Sequence, residues 1–161
     1  MAATEVPIVR SFEPASRFRT LMRVGNAVMV PLLRSRLGAR MHELALLSFV
    51  GRKSGRTFEV PVGYQMFEGD AVVLTASSWR INMRGGADVE IVHEGRRRPM
   101  HAELVDDPDE VARIYGAMLR RVGLSKASHV GLKVGGDRMP SHDELVHAIG
   151  GKRFVVRLTP R

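Results

Sequence analysis

Two alternating apolar runs, Leu44 to Val50 and Val60 to Met66, are joined by Gly51-Arg52-Lys53-Ser54-Gly55-Arg56. Apolar alternation on both sides of a glycine-punctuated break dictates a half-buried β-hairpin. Gly51, Ser54 and Gly55 supply what the turn needs. The turn does not need the cations Arg52, Lys53 and Arg56 crowded beside them. Two readings stay open: a solvated turn decorated with charge, or an anion site where cationic side chains and turn amides converge on a phosphate or carboxylate.

Around this hairpin the chain reads as α+β and mainly β. Phe67-Glu68-Gly69-Asp70 is a second turn signal, followed by a buried strand over Ala71–Ala76. Val89–His93 and Arg98–Leu104 alternate around His93-Glu94-Gly95-Arg96, and Arg153–Leu158 reads as a last strand. Asp106-Asp107-Pro108-Asp109 caps a helix over Glu110 to Arg121, acidic at its start and basic at its end, which Gly123 stops. Ser141 and Glu144 form a capping box for a short helix ending at Ile149, whereas 125–137 shows no clear periodicity. Residues 1–16 read as a loose arm and 17–40 as N-terminal helices. Arg17 to Val30 has apolar residues at helical spacing, and Pro31 opens a second short helix through Leu37. Five to six mostly antiparallel strands with peripheral helices predict a small, partly open β-barrel in one domain, 1–161.

The chain has no cysteine, which excludes disulfides, thiolate metal sites and a cysteine nucleophile and is compatible with the cytoplasm. Glu5 and Glu13 and the lack of an early apolar run argue against a secretory signal. No apolar run approaches the roughly 20 residues of a membrane span. A net charge of +8 favours anionic partners. Only 6% of residues are aromatic and no nucleic-acid signature appears, so we expect no nucleic-acid partner. The basic N-terminal helices, with Arg34, Arg36 and Arg40, suit either a solvated rim or a peripheral contact with acidic lipid. His142 and His147 fall on different helix faces, so no metal site is expected.

Ala76-Ser77-Ser78-Trp79-Arg80-Ile81-Asn82-Met83-Arg84-Gly85-Gly86 is the second unusual stretch and holds the only tryptophan. In one helical turn Trp79 and Asn82 share a side. An indole beside hydroxyls and an amide lines a planar heterocycle well, and equally well anchors a corner of a core.

The run Gly51–Arg56 followed by Val60-Pro61-Val62-Gly63-Tyr64 closely resembles the deazaflavin (F420)-dependent nitroreductase family of F420H2-dependent oxidoreductases. Trp79-Arg80-x-Asn82-x-Arg84-Gly85-Gly86-Ala87-x-Val89 resembles the second signature of many members. Together the likeness covers residues 41–106. It implies an FMN-binding-like split β-barrel and the hydride carrier coenzyme F420, with its phosphate and oligoglutamate tail. It further implies that Arg52, Lys53, Ser54 and Arg56 hold the phosphate, and that Pro61 and Val62 lie near the ring. Ala76, Ser77 and Ser78 would approach the ring's polar edge, and Trp79 and Asn82 would close the pocket. Independently of the resemblance, the net charge leads us to expect that the basic N-terminal helices and Arg84 attract the anionic tail. The sequence departs from many members where Ser77-Ser78 lead directly into Trp79, and the substrate-facing tyrosines have no clear counterpart, Tyr115 packing in a charged helix.

The expected activity is a hydride transfer between the deazaflavin and a hydrophobic, electron-poor quinone, enone or nitro compound. Ser78 and Tyr64 are the candidate proton donors, and no catalytic triad is needed. Two alternatives accompany it: a binding or sequestering protein without turnover, and a split barrel using FMN. Oligomeric state is left open.

Overall fold

The computed structural model describes residues 9–11 and 26–161, which group into two compact units. The predicted helix over Arg17–Val30 lies outside the described residues up to position 25.

The larger unit, the described residues 26–104 with 156–161, holds the barrel. Its strands are β2 (Leu44–Val50), β3 (Thr57–Gly63), β4 (Gln65–Phe67), β5 (Asp70–Thr75), β6 (Ala87–His93), β7 (Arg96–Val105) and the greater part of β9 (Phe154–Pro160). They order as β3-β2-β6-β7-β9-β5-β4, with β2 antiparallel to β3 and β6, β6 to β7, and β4 to β5. The two edge strands, β3 and β4, are consecutive and separated by Tyr64 alone. A flat seven-stranded sheet would hold its edges roughly 29 Å apart, whereas one intervening residue spans at most about 7 Å. The sheet therefore curls until its edges meet, with β3 approaching β5. The seam carries no ladder, so the barrel is split.

The stretch Phe58–Met66 reads from the sequence as one strand and is instead two, broken at Tyr64. The apolar alternation of the sequence runs on through Tyr64 to Met66, so no local signal marks the change of sheet edge. Burial does not follow it: Val62 is inside, whereas Met66 is exposed and Phe67 buried. Both tight hairpins follow their turn chemistry: Glu68-Gly69 and Glu94-Gly95 all have positive φ, the geometry that a two-residue type I′ turn demands.

The barrel interior is Ala45, Leu47 and Phe49 of β2 against Val62, Val73, Met83, Ile91, Met100, Val156 and Leu158. Each fully buried large apolar side chain contributes about 1.5–3 kcal/mol. On the other face of β2 and β6, Leu46 and Val92 are covered by Leu33 of the helical residues 26–34, α1. Pro31 lies inside α1 rather than opening a second helix, at the loss of one intrahelical hydrogen bond.

The smaller unit comprises residues 105–155 with the described residues 9–11. Its α2 (Pro108–Val122) starts where Asp107 accepts the Glu110 N–H at 3.0 Å and ends at Gly123. Its α3 (His142–Ile149) has the expected capping box between Ser141 and Glu144. Tyr115 is fully buried, its hydroxyl donating to the Phe154 carbonyl at 3.4 Å, which agrees with a packing role. Two three-residue strands, β1 (Val9–Ser11) and β8 (Leu132–Val134), pair antiparallel. The first falls in the expected loose arm and the second in the stretch without periodicity. Neither is long enough to announce itself without its partner.

Candidate functional site

The basic turn closes the β2–β3 hairpin beyond the Val50–Thr57 pair. It is stitched internally: the Gly51 N–H donates to the Arg56 carbonyl at 2.8 Å, and the Gly55 N–H to the Gly51 carbonyl at 2.9 Å. The Arg56 N–H donates to Ser54 Oγ at 3.3 Å. The N–H groups of Gly51, Gly55 and Arg56 are thus consumed by the turn itself, and that of Arg52 is directed to Asn82.

The second signature folds as a 3-10 helix over Ser78–Met83, directly after β5. Asn82 joins it to the turn. Its Oδ1 accepts the Arg52 backbone N–H at 3.0 Å, and its Nδ2 donates to the Trp79 carbonyl at 2.8 Å. The Arg52 guanidinium then donates to the carbonyls of Arg84 and, at 3.3 Å, Gly86. Gly86 is required here, because its φ is +91° and a Cβ would stand 2.8 Å from the His101 ring. Arg52, Asn82, Trp79 and Arg84 are thus brought together across thirty residues of sequence.

An aromatic row runs beneath the same surface. Trp79 lies 5.9 Å from Phe49, Phe49 stacks on Phe58 at 5.7 Å, and the Arg56 guanidinium sits 5.8 Å from the Phe58 ring centre. Phe49 and Phe58 are register partners flanking the turn. Sequence reasoning did not single them out, although their symmetric placement around Gly51–Arg56 was the available signal. Arg80 was also missed. It donates to the carbonyls of Ser77 at 2.9 Å and Ala76 at 3.4 Å, holding the strand-to-helix corner, while the Ser77 N–H donates to the buried Thr75 hydroxyl at 3.0 Å.

The cations of the turn are not equivalent. Arg52 is turned inward to main-chain carbonyls. Lys53 has no hydrogen bond or ion pair among the described residues, and no carboxylate there pairs with Arg56. Ala76, Ser77 and Ser78 are exposed, and Trp79 is half-buried. Pro61 and Val62 point to opposite faces of β3; Val62, 6% exposed, is inside the barrel core. Tyr64 lies beyond the far end of β3, roughly 23 Å along the strand from Thr57. The structure therefore does not bring it to the turn. Among the described residues no cluster of three or more His, Asp or Glu is placed to hold a metal, and His142 pairs with Asp109 at 2.9 Å. No helix among them is long and apolar enough to cross a membrane.

Lys53 and Arg56, which pair with no carboxylate among the described residues, and the half-buried indole of Trp79 thus lie on elements that Asn82 ties together. Residues 22–131 match the model of the F420H(2)-dependent quinone reductase family, and the chain belongs to that family. It is an oxidoreductase, and its coenzyme is F420. Among solved structures it is similar to a conserved hypothetical protein of Mycobacterium tuberculosis, with 18% identity over 84% of this chain and 79% of that one (TM-score 0.48). It is similar also to an F420-H2 dependent reductase, with 16% identity over 73% and 94% (TM-score 0.44). A third is a pyridoxamine 5'-phosphate oxidase-related, FMN-binding protein of Nostoc punctiforme, with 14% identity over 92% and 83% (TM-score 0.47). No curated protein matches the sequence. The family membership rests on the sequence match.

Proposed function

We propose that the surface formed by the basic turn and the Trp79 segment holds F420, and that the chain reduces a hydrophobic quinone there, with enones and nitro compounds as further acceptors. The observation that carries this is the Asn82 bridge, which makes one contiguous surface of the two motifs. Lys53 and Arg56 offer charge to the phosphate with no carboxylate among the described residues to compete, and Ser54 adds a hydroxyl. Arg52 positions rather than binds: it anchors the turn onto the Arg84–Gly86 backbone so that its neighbours face outward. Trp79, ordered by Asn82 and Phe49, forms the aromatic wall, and the exposed Ser77 and Ser78 supply hydrogen bonds at its edge. Arg84 lies where an anionic tail leaving the turn would pass.

When bound, the reduced deazaflavin supplies a hydride, and the quinone becomes a hydroquinone on gaining that hydride and one proton from solvent or a hydroxyl. Ser78 is the nearest candidate hydroxyl, since it opens the Trp79 helix, whereas Tyr64 is at the other end of β3. A peripheral contact with acidic lipid fits a hydrophobic acceptor, and the exposed Val28 and Leu37 near Arg36 and Arg40 support it.

The test is oxidation of F420H2 by menadione, followed by absorbance, with purified protein. Turnover supports the proposal. Binding without oxidation across quinones, enones and nitroarenes would make the chain a coenzyme-sequestering protein instead, and displacement by FMN would make it a flavin enzyme.

A further inference from the structure

We propose that the barrel carries a second small-molecule site, distinct from the coenzyme surface, that takes an amphipathic carboxylate. A cavity of about 330 Å³ opens on the barrel between residues 64–71, beyond the far end of β3, and residues of β7 and β9. That volume is at the small end of ligand pockets, which run from ~300 to ~1,000 Å³. The cavity includes Asp70 and Ala71, which begin β5, whereas the Trp79 helix follows the last residue of that strand, roughly 17 Å further on.

Met66, Met100 and Leu158 give the cavity an apolar wall, and Met66 is 47% exposed there. Tyr64 forms a rigid side, its ring stacked on His93 at 4.0 Å, with His93 Nε2 held 2.8 Å from the His42 carbonyl. Arg98 stands at the cavity with no hydrogen bond or ion pair among the described residues, although the Glu94 carboxylate feels its charge. The second guanidinium, Arg161, is shared with Asp88 at 3.3 Å. One carboxylate also lines the cavity, but Asp70 is turned to Arg157 at 3.9 Å. A guanidinium with no hydrogen-bonded or ion-paired carboxylate among the described residues, over a thioether-lined hollow, matches a carboxylate on a short apolar body, which its planar fork can grip bidentately. This inference rests on no part of the coenzyme reading.

The probe is 1-naphthoate, titrated calorimetrically into the full chain without coenzyme, with methyl NMR of the methionines. We expect saturable binding with shifts at Met66 and Met100, at least about tenfold weaker for the Arg98→Gln variant and for the neutral 1-naphthalenemethanol. Binding should be unchanged by Lys53→Ala. No binding, binding indifferent to Arg98→Gln, loss in Lys53→Ala, or shifts confined to other methionines would each overturn the proposal.

Discussion

Arg52 and Lys53 are adjacent, both cationic and both exposed, yet their replacement by alanine should have different consequences. Arg52→Ala removes the donors to the Arg84 and Gly86 carbonyls and frees the turn from the Trp79 segment. Hydrogen bonds from a charged donor reach about 1.5–3 kcal/mol, but solvent screening at this exposed position reduces the net loss to about 1 kcal/mol. For a domain of this size that lowers the melting midpoint by about 2–4 °C. Lys53→Ala removes no contact among the described residues and should stay within about 0.5 kcal/mol of the parent. Coenzyme affinity should fall about 10- to 100-fold in Lys53→Ala, the loss of one charge-assisted phosphate contact. Scanning fluorimetry and coenzyme titration on both variants give the comparison. Equal midpoints for the two variants would refute the division of labour. So would a Lys53→Ala protein that melts early and binds normally.

Asn82→Ala should lose both the bridge to Arg52 and the bond to the Trp79 carbonyl, about 1–2 kcal/mol by chemical denaturation, with a shift in tryptophan emission. Gly86→Ala should destabilise by a similar amount, because an alanine at a φ of +91° is strained even if His101 moves aside; thermal melts against Gly86 read it. At the other unit, the Arg138 guanidinium, then the Ser141 N–H, lowers the Glu144 carboxyl from near 4.5 to about 2. Since the folded value is the depressed one, the stabilisation of α3 is present above pH 4.5 and drains away as pH falls toward 2. NMR titration of the Glu144 carboxyl should show this low midpoint, and Arg138→Gln should raise it.

The features legible in the sequence were those with local causes. Gly69 and Gly95 announce their turns because glycine takes the positive φ there without strain, and Ser141 with Glu144 announces a helix start because both halves of the cap lie within one turn. The barrel closure at Tyr64 was hidden because alternation continues through it; only the sheet order reveals that its two sides belong to opposite edges. The pairing of Val9–Ser11 with Leu132–Val134 was hidden by chain distance. At the site, the two motifs were visible as compositions, but Arg52 looked like one cation among three. Its partners are backbone carbonyls more than thirty positions away, and carbonyls leave no trace in side-chain identity. Pro61 and Val62 read as neighbours at one ring, whereas a strand sends adjacent side chains to opposite faces.

The single tryptophan makes the central claim directly measurable, since Trp79 lies in the segment assigned to the coenzyme wall. F420 titrated into the protein should change Trp79 emission saturably in the micromolar range, and the Lys53→Ala/Arg56→Ala double variant should move that curve to much higher concentration without moving the melting midpoint. Emission that stays unchanged at saturating coenzyme, or a curve indifferent to the two cations, would contradict the account.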